Sequence, residues 1–404
     1  MAGRALRLVP LAWVATWAAC SVPALAPNAS SHLCSGEGCA SACEVGFADC
    51  NGSLDADGCE TSVATAAACG ACGVACETGQ VCTAHGCAWA SCGEVLPGRT
   101  GCGPRGDEDC CASLDVPGGT FQRRNDAASA SPGGFVATVH AFRLDRFEVT
   151  VGRFRAFLGA VAAGWRPVVG AGKHAYLARG GLLVEDGGFR HLETGWTGEF
   201  AGRLSWSRAL WDDALACGGD ARATWTPAPG ANEDRPIVCT DWSSAVLFCA
   251  WDGGFVPSEA EWHFAAGGGA EQRVRPWSAP PEASAIDDAH AVYCDVAGCA
   301  RGAEPVGSRS PLGDGRWGHA DLVGNADEWL YDGVWDLADW PMPCTDCARE
   351  PDANGWRATA GSGFARDADA QRSFDRGMDD YALRPGRDVL PYVELGIRCA
   401  RAPR

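Results

Sequence analysis

A mixed domain of helices and strands behind a small disulfide-held module is what this sequence predicts, on three observations. The stretch from Pro236 to Ala266 carries two capped helical patterns separated by a Gly-Gly turn. Phe142 to Thr150 alternates like a strand and leads into a helical apolar face. Cys34 to Cys111 holds 14 of the chain's 23 cysteines with little apolar sequence between them. Such a segment cannot bury much core and has to be cross-linked.

The first helix of the central stretch has Asp241 as N-cap and places Trp242, Ala245, Phe248 and Cys249 on one face. Gly253 and Gly254 end it, because glycine accepts the left-handed C-terminal conformation without a Cβ clash. A second helix begins after Pro257, where Ser258 and Glu261 have the spacing of a capping box, with Trp262, Ala265 and Ala266 continuing a buried face. Upstream, Thr150 is the expected N-cap of a helix that buries Val151, Phe154, Phe157 and Val161. The region from Arg166 to Glu233 is rich in Gly, Trp and charge, with weak periodicity, and reads as long irregular loops.

Length and composition set the outer limits. A chain of 404 residues suits one large domain and a smaller module, and 47% hydrophobic with 21% charged residues is ordinary for a folded protein. A net charge of −18 without a basic cluster excludes a phosphate-backbone partner, so no nucleic acid is expected. Met1 to Cys20 has the form of a secretion signal: Arg4 and Arg7 precede an apolar run from Leu8 to Ala19 too short for a bilayer-spanning helix. It ends in Trp17-Ala-Ala-Cys20, which resembles a bacterial lipobox with lipid attachment at Cys20. Cleavage after Ala24-Leu25-Ala26 is the alternative, with Pro27 against it. Either route leaves an even number of cysteines outside the cytoplasm, on the cell envelope or secreted, and the membrane is then reached only through the anchor.

The expected parts are a signal at 1–20, a linker at 21–33, a Cys-rich module at 34–112 and a domain at 113–404. Within the module, Cys69-x-x-Cys72 has redox or zinc spacing, but no second zinc knuckle follows and a structural disulfide is the favoured reading. The acidic run from Asp49 to Asp57 has its glycine out of register for an EF-hand, so turn chemistry is favoured over calcium. The module's texture resembles Cys-rich stalks of secreted, myxobacterial-type lipoproteins.

From Val116 onward, five motifs occur in order. They are Val116-Pro-Gly-Gly-Thr-Phe121, Phe142-Arg-Leu-Asp-Arg-Phe-Glu-Val-Thr150, the Trp242–Trp262 stretch, Trp317-Gly-His-Ala-Asp-Leu-Val-Gly-Asn-Ala-Asp-Glu-Trp329, and Arg357–Phe364 with Leu395-Gly-Ile-Arg-Cys-Ala400. Arg275-Pro-Trp-Ser278 adds a turn between them. Together they resemble the formylglycine-generating (sulfatase-modifying factor) family. The resemblance implies an α+β, compact, loop-rich fold related to C-type lectins. It also implies a disulfide between Cys249 and Cys399, leaving Cys217 for Cys239.

The family's oxidase holds copper(I) on two thiolates between the G-G-S-W strand and the last strand, soft ligands for a soft ion. Here the interval from Gly361 to Glu394 contains no cysteine, which argues against copper and against formylglycine generation. Cys294 with Cys299 and Cys344 with Cys347 are spaced as local disulfide clamps, favoured over redox or metal roles. An iron site of histidines finds no support in the eight His present. Calcium is the cofactor the resemblance leaves standing, on Asn325, the Ala326 carbonyl and Glu328, oxygen donors suited to a hard cation; a solvated turn with Trp329 buried is the competing reading. Glu259, Glu261 and His263 form a cluster on paper, but capping duty accounts for the two acids. The 17 Trp serve mainly as framework, though a Trp-lined groove suits a sugar or peptide. The functional expectation is a non-catalytic binding or surface scaffold module for a peptide, protein or glycan ligand, with a divergent oxidoreductase as the alternative.

Overall fold

The computed structural model describes residues 29–34, 39–43, 46–52, 59–77, 79–84, 86–123, 135–174, 176, 183–186, 189–197, 206–295, 301–333, 344–348, 357–374 and 393–404. The signal, Cys20 and Cys299 lie outside the described residues. The chain divides into two compact units, Met1–Val74 and Ala75–Arg404.

The first unit consists of short antiparallel hairpins, Phe47–Ala48 with Thr61–Ser62 and Ala64–Thr65 with Ala68–Cys69 among them. Cys43–Cys59 and Cys50–Cys72 tie them together. Cys72 therefore bonds Cys50 and not Cys69, so the C-x-x-C spacing is not a dithiol pair. The Gly52 N–H donates to Asp49 Oδ1 at 2.7 Å, an Asx turn.

The second unit begins inside the Cys-rich stretch, earlier than the expected boundary at 112/113. The physical reason is a weld between this stretch and the first helix. Helix α1, Val151–Ala162, carries Arg153, whose guanidinium donates to Ser91 Oγ at 2.9 Å and to the Cys110 carbonyl at 3.2 Å. Three disulfides, Cys76–Cys87, Cys92–Cys111 and Cys102–Cys110, stiffen the same stretch.

Among the described residues, four three-stranded sheets follow. Ser113–Val116, Phe142–Asp145 and Ala400–Arg401 form one, and Gly119–Gln122, Val136–Val139 and Cys344–Thr345 another. Leu183–Asp186 lies between Phe189–Leu192 and Cys347–Ala348. Asp327–Gly333 lies between Arg357–Ala360 (antiparallel) and Leu395–Gly396 (parallel). All four residues of Phe142–Asp145 are buried, so alternation there does not separate core from solvent.

The loop-like reading of 166–233 needs correction: this region contains the Leu183–Leu192 hairpin and helix α2, Arg208–Leu215. Trp211 and Leu215, one turn apart, are the buried residues of α2, and Trp211 meets Phe154 and Phe157 edge-on at 5.9 and 6.2 Å. Helices α3, Trp242–Trp251, and α4, Glu259–Ala266, begin on capping boxes, Asp241 with Ser244 and Ser258 with Glu261. Gly253 closes α3 at φ +75°, and a Cβ there would lie 2.6 Å from Gly79 Cα. Phe154 stacks on Phe248 at 5.8 Å between α1 and α3, one of several aromatic pairs each contributing about 1 kcal/mol beyond area burial. Among the described residues no helix is long and apolar enough to cross a membrane.

Candidate functional site

The Asp327–Gly333 strand and the loop before it gather several of the buried acids. Asn325, at φ +63°, donates through Nδ2 to Glu148 Oε2 at 2.6 Å, and the Ala326 N–H donates to Glu148 Oε1 at 2.7 Å. Asn325 Oδ1 accepts from the Glu304 N–H at 2.9 Å. Glu328 accepts from Arg398 Nε at 2.8 Å on one oxygen and from Trp262 Nε1 at 2.6 Å on the other. Asp327 accepts from Thr359 Oγ1 at 2.8 Å.

Charge is unbalanced here. Burial pushes Glu148 well above the usual carboxylate range, with Asp321 nearby adding to it. Burial likewise raises Asp327, with Glu394 next, and raises Asp321 to about 6. Oxygen donors in this number have the chemistry of a hard-cation site. Of the three residues expected to share calcium, Asn325 and Glu328 have their side-chain oxygens engaged by the protein. A guanidinium, that of Arg398, stands against Glu328, and backbone amide groups hold Asn325 and its partner. The side-chain oxygens of Asn325 and Glu328 thus already serve protein donors in this arrangement.

The interval after Gly361 is held from two sides. Gly324 N–H donates to the Gly361 carbonyl at 2.7 Å and Phe364 N–H to that of Asn325 at 2.9 Å, so the strand's entry loop fixes the start of the segment. Gly361 adopts φ +104°, and Ser362 φ +50°. Arg366 Nε donates to Glu394 Oε1 at 3.0 Å. Gln371 is fully buried, its Nε2 donating to the Gly363 and Arg366 carbonyls at 3.2 and 3.4 Å. Buried Arg275 donates to the Ala368 carbonyl at 3.0 Å, to that of Ser284 at 2.8 Å, and to that of Gln371. Burial lowers the Arg275 pKa, with Arg372 contributing. Within the described part, guanidinium, amide and carboxylate groups fill this segment.

At the start of α4, Glu261 has the cap partner its spacing suggests and a histidine from a distant segment besides. Glu261 accepts from the Ser258 N–H at 2.8 Å as the cap requires, and His174 Nε2 lies 3.5 Å from it. His263 Nδ1 is 3.8 Å from Glu259, and its ring packs on Trp262 and Phe374. His174, Glu193 and Asp332 were not among the expected site residues. No local signal points to them, since His174 and Glu193 stand in weakly periodic sequence far from α4.

Cys249 and Cys399 are joined, with Cα atoms 5.5 Å apart, and so are Cys217–Cys239 and Cys344–Cys347. Cys294 is also in a disulfide. Asp346, inside the Cys344–Cys347 turn, accepts from the His140 N–H at 2.7 Å and pairs with its ring.

The family model described as "Sulfatase-modifying factor enzyme 1-like domain" matches residues 101–403. "Inactive C-alpha-formylglycine-generating enzyme 2" of Bos taurus is 30% identical over 234 residues, covering 54% of this chain and 69% of that protein. The "Formylglycine-generating enzyme" of Thermomonospora curvata is 28% identical over 271 residues, 62% of this chain and 81% of that one. The mouse protein of the same name is 27% identical over 320 residues, 72% and 74% of the two chains. With three quarters of its length matched and the family's fold around the Asp327–Gly333 strand, the chain belongs to the sulfatase-modifying factor family, homologous to formylglycine-generating enzymes.

Proposed function

We propose that this protein is an exported, lipid-anchored member of the family that binds a peptide, protein or glycan as a surface scaffold module and does not generate formylglycine. The observation that carries this is the absence of cysteine between Gly361 and Glu394, where the family's oxidases hold copper on two thiolates. Arg366, Gln371 and Glu394 occupy that segment, and none is a soft ligand for copper(I). A relative whose name carries the word inactive is consistent with this, as are disulfides throughout the chain with an oxidising compartment. The alternative, a divergent oxidoreductase acting on a thiol or peptide, would need another redox centre, for which Cys344–Cys347 is the candidate; both cysteines are buried, which favours a clamp.

The test is turnover. Purified, copper-loaded protein is given a cysteine-containing peptide while oxygen uptake and aldehyde formation are followed. No uptake above the protein-free rate is expected. Sustained uptake with aldehyde product would overturn the scaffold reading.

A further inference from the structure

His174 is buried between two carboxylates on separate parts of the chain. Its Nδ1 lies 3.4 Å from Glu193 Oε2 and its Nε2 3.5 Å from Glu261 Oε2. A third acid, Asp332, faces it from the end of the Asp327–Gly333 strand while accepting from the Glu259 N–H at 2.7 Å. Phe255 and Tyr331 close the remaining sides, with ring centroids 4.2 and 5.1 Å away. Only a doubly protonated ring can donate toward both Glu193 and Glu261, because a neutral imidazole has one N–H.

Glu193 is also the organiser of its own turn. It accepts from the His174 N–H at 3.1 Å and from the Gly195 N–H at 2.7 Å. Just beyond, Trp196 N–H donates to the Ala171 carbonyl and Gly170 N–H to that of Trp196, at 2.8 and 2.9 Å. Gly195, at φ +72°, lets these strands approach, since a Cβ there would be 2.6 Å from the Gly170 carbonyl oxygen. The two ends of the 170–196 segment are thus pinned to each other and, through His174, to the capping box of α4.

We propose that His174 is a pH-sensitive latch, an imidazolium clamped between Glu193 and Glu261 that holds residues 170–174 and 193–196 on the N-terminus of α4 and releases them on losing its proton. The direction follows from its surroundings. Burial alone would lower the His174 pKa, but Glu261 and Glu193, with Asp332 behind them, raise it above 6.5. The latch is therefore closed below that value and opens as pH rises through the raised one. Burial raises Glu261 too, with His174 opposing it, so loss of the imidazolium removes part of what keeps that carboxylate charged. Burial acts against ionised Glu193, but the His174 ring and the His174 and Gly195 N–H groups keep its pKa low.

Hydrogen exchange on the full, disulfide-bonded chain tests this, read as protection factors of the Gly195 and Trp196 amides at about pH 6 and about pH 9. In the wild type a several-fold loss of protection at the higher pH is expected. His174→Gln should be weakly protected at both values. Equal wild-type protection at the two, or a wild-type-like loss in His174→Gln, overturns the proposal. Should that variant not fold, Glu193→Gln takes its place: low protection already at about pH 6 is expected, and an unchanged pH response contradicts the latch.

Discussion

Two buried charge clusters lie within one unit and differ in a single respect, balance. In the first, Asp145 and Asp252 face Arg153 and Arg401, all with fully buried side chains and linked at 2.7–2.9 Å. Burial works against the Asp145 carboxylate, but Arg401 and Arg153 hold it below the usual range. In the second, Glu148, Asp321 and Glu328 share Arg398 with Asp327 next to Glu328, and burial lifts Glu148, Asp321 and Asp327 above the usual range. A balanced cluster works as a weld between α1, the end of α3 and the last strand. An acid-rich one titrates, and its contribution to stability changes with pH.

The largest effect should come from unbalancing the weld. Arg153→Met leaves Asp145 and Asp252 buried with one guanidinium between them and strips donors from Ser91 and Cys110. A loss of about 3–5 kcal/mol is expected in denaturant melts. A loss below about 1 kcal/mol would mean the cluster is not a weld.

Cys399 sits between Arg398 and Arg401, so its bond to Cys249 holds the arginines of both clusters at once. Replacing both cysteines by serine should cost about 2–5 kcal/mol. It should also weaken the two clusters together, seen as exchange of the Asp145 and Asp327 amides at similar rates. Exchange confined to one of the two would separate them.

A smaller effect of opposite sign is expected at Asp321. Its folded pKa is raised from 3.8 to about 6, so the stability it contributes is present below the unfolded value and lost as pH rises through about 6. In metal-free buffer the melting temperature should fall over that interval, and Asp321→Asn should flatten the fall, gaining on the order of 2 kcal/mol at neutral pH. An unchanged pH profile in the variant would assign the fall to other groups.

Much of the scaffold was legible because its signals are local. Thr150 and Ser258 cap helices through their own N3 amides, at 3.2 Å in each case. Gly253 ends α3 for a conformational reason any sequence shows. The clusters were not legible. Asp145, Asp252 and Arg401 meet only after three distant segments pack, and no spacing rule records that Arg153 faces them rather than solvent. The same holds for His174, which joins Glu261 across the fold while His263, one turn from Glu259, offered the more obvious pairing. Asn325 and Glu328 stood out as calcium donors or as part of a solvated turn; both are buried, and their partners, Glu148 and Arg398, come from the opposite ends of the domain. The α2 helix was hidden because only Trp211 and Leu215 of its eight residues are buried.

Counting thiols tests the proposal that the chain holds no thiolate pair for copper. Mature protein is denatured without reductant, titrated with a thiol reagent, and assayed for bound copper before denaturation. The account predicts no titratable thiol and no stoichiometric copper. Two reactive thiols per chain accompanied by one copper would contradict it.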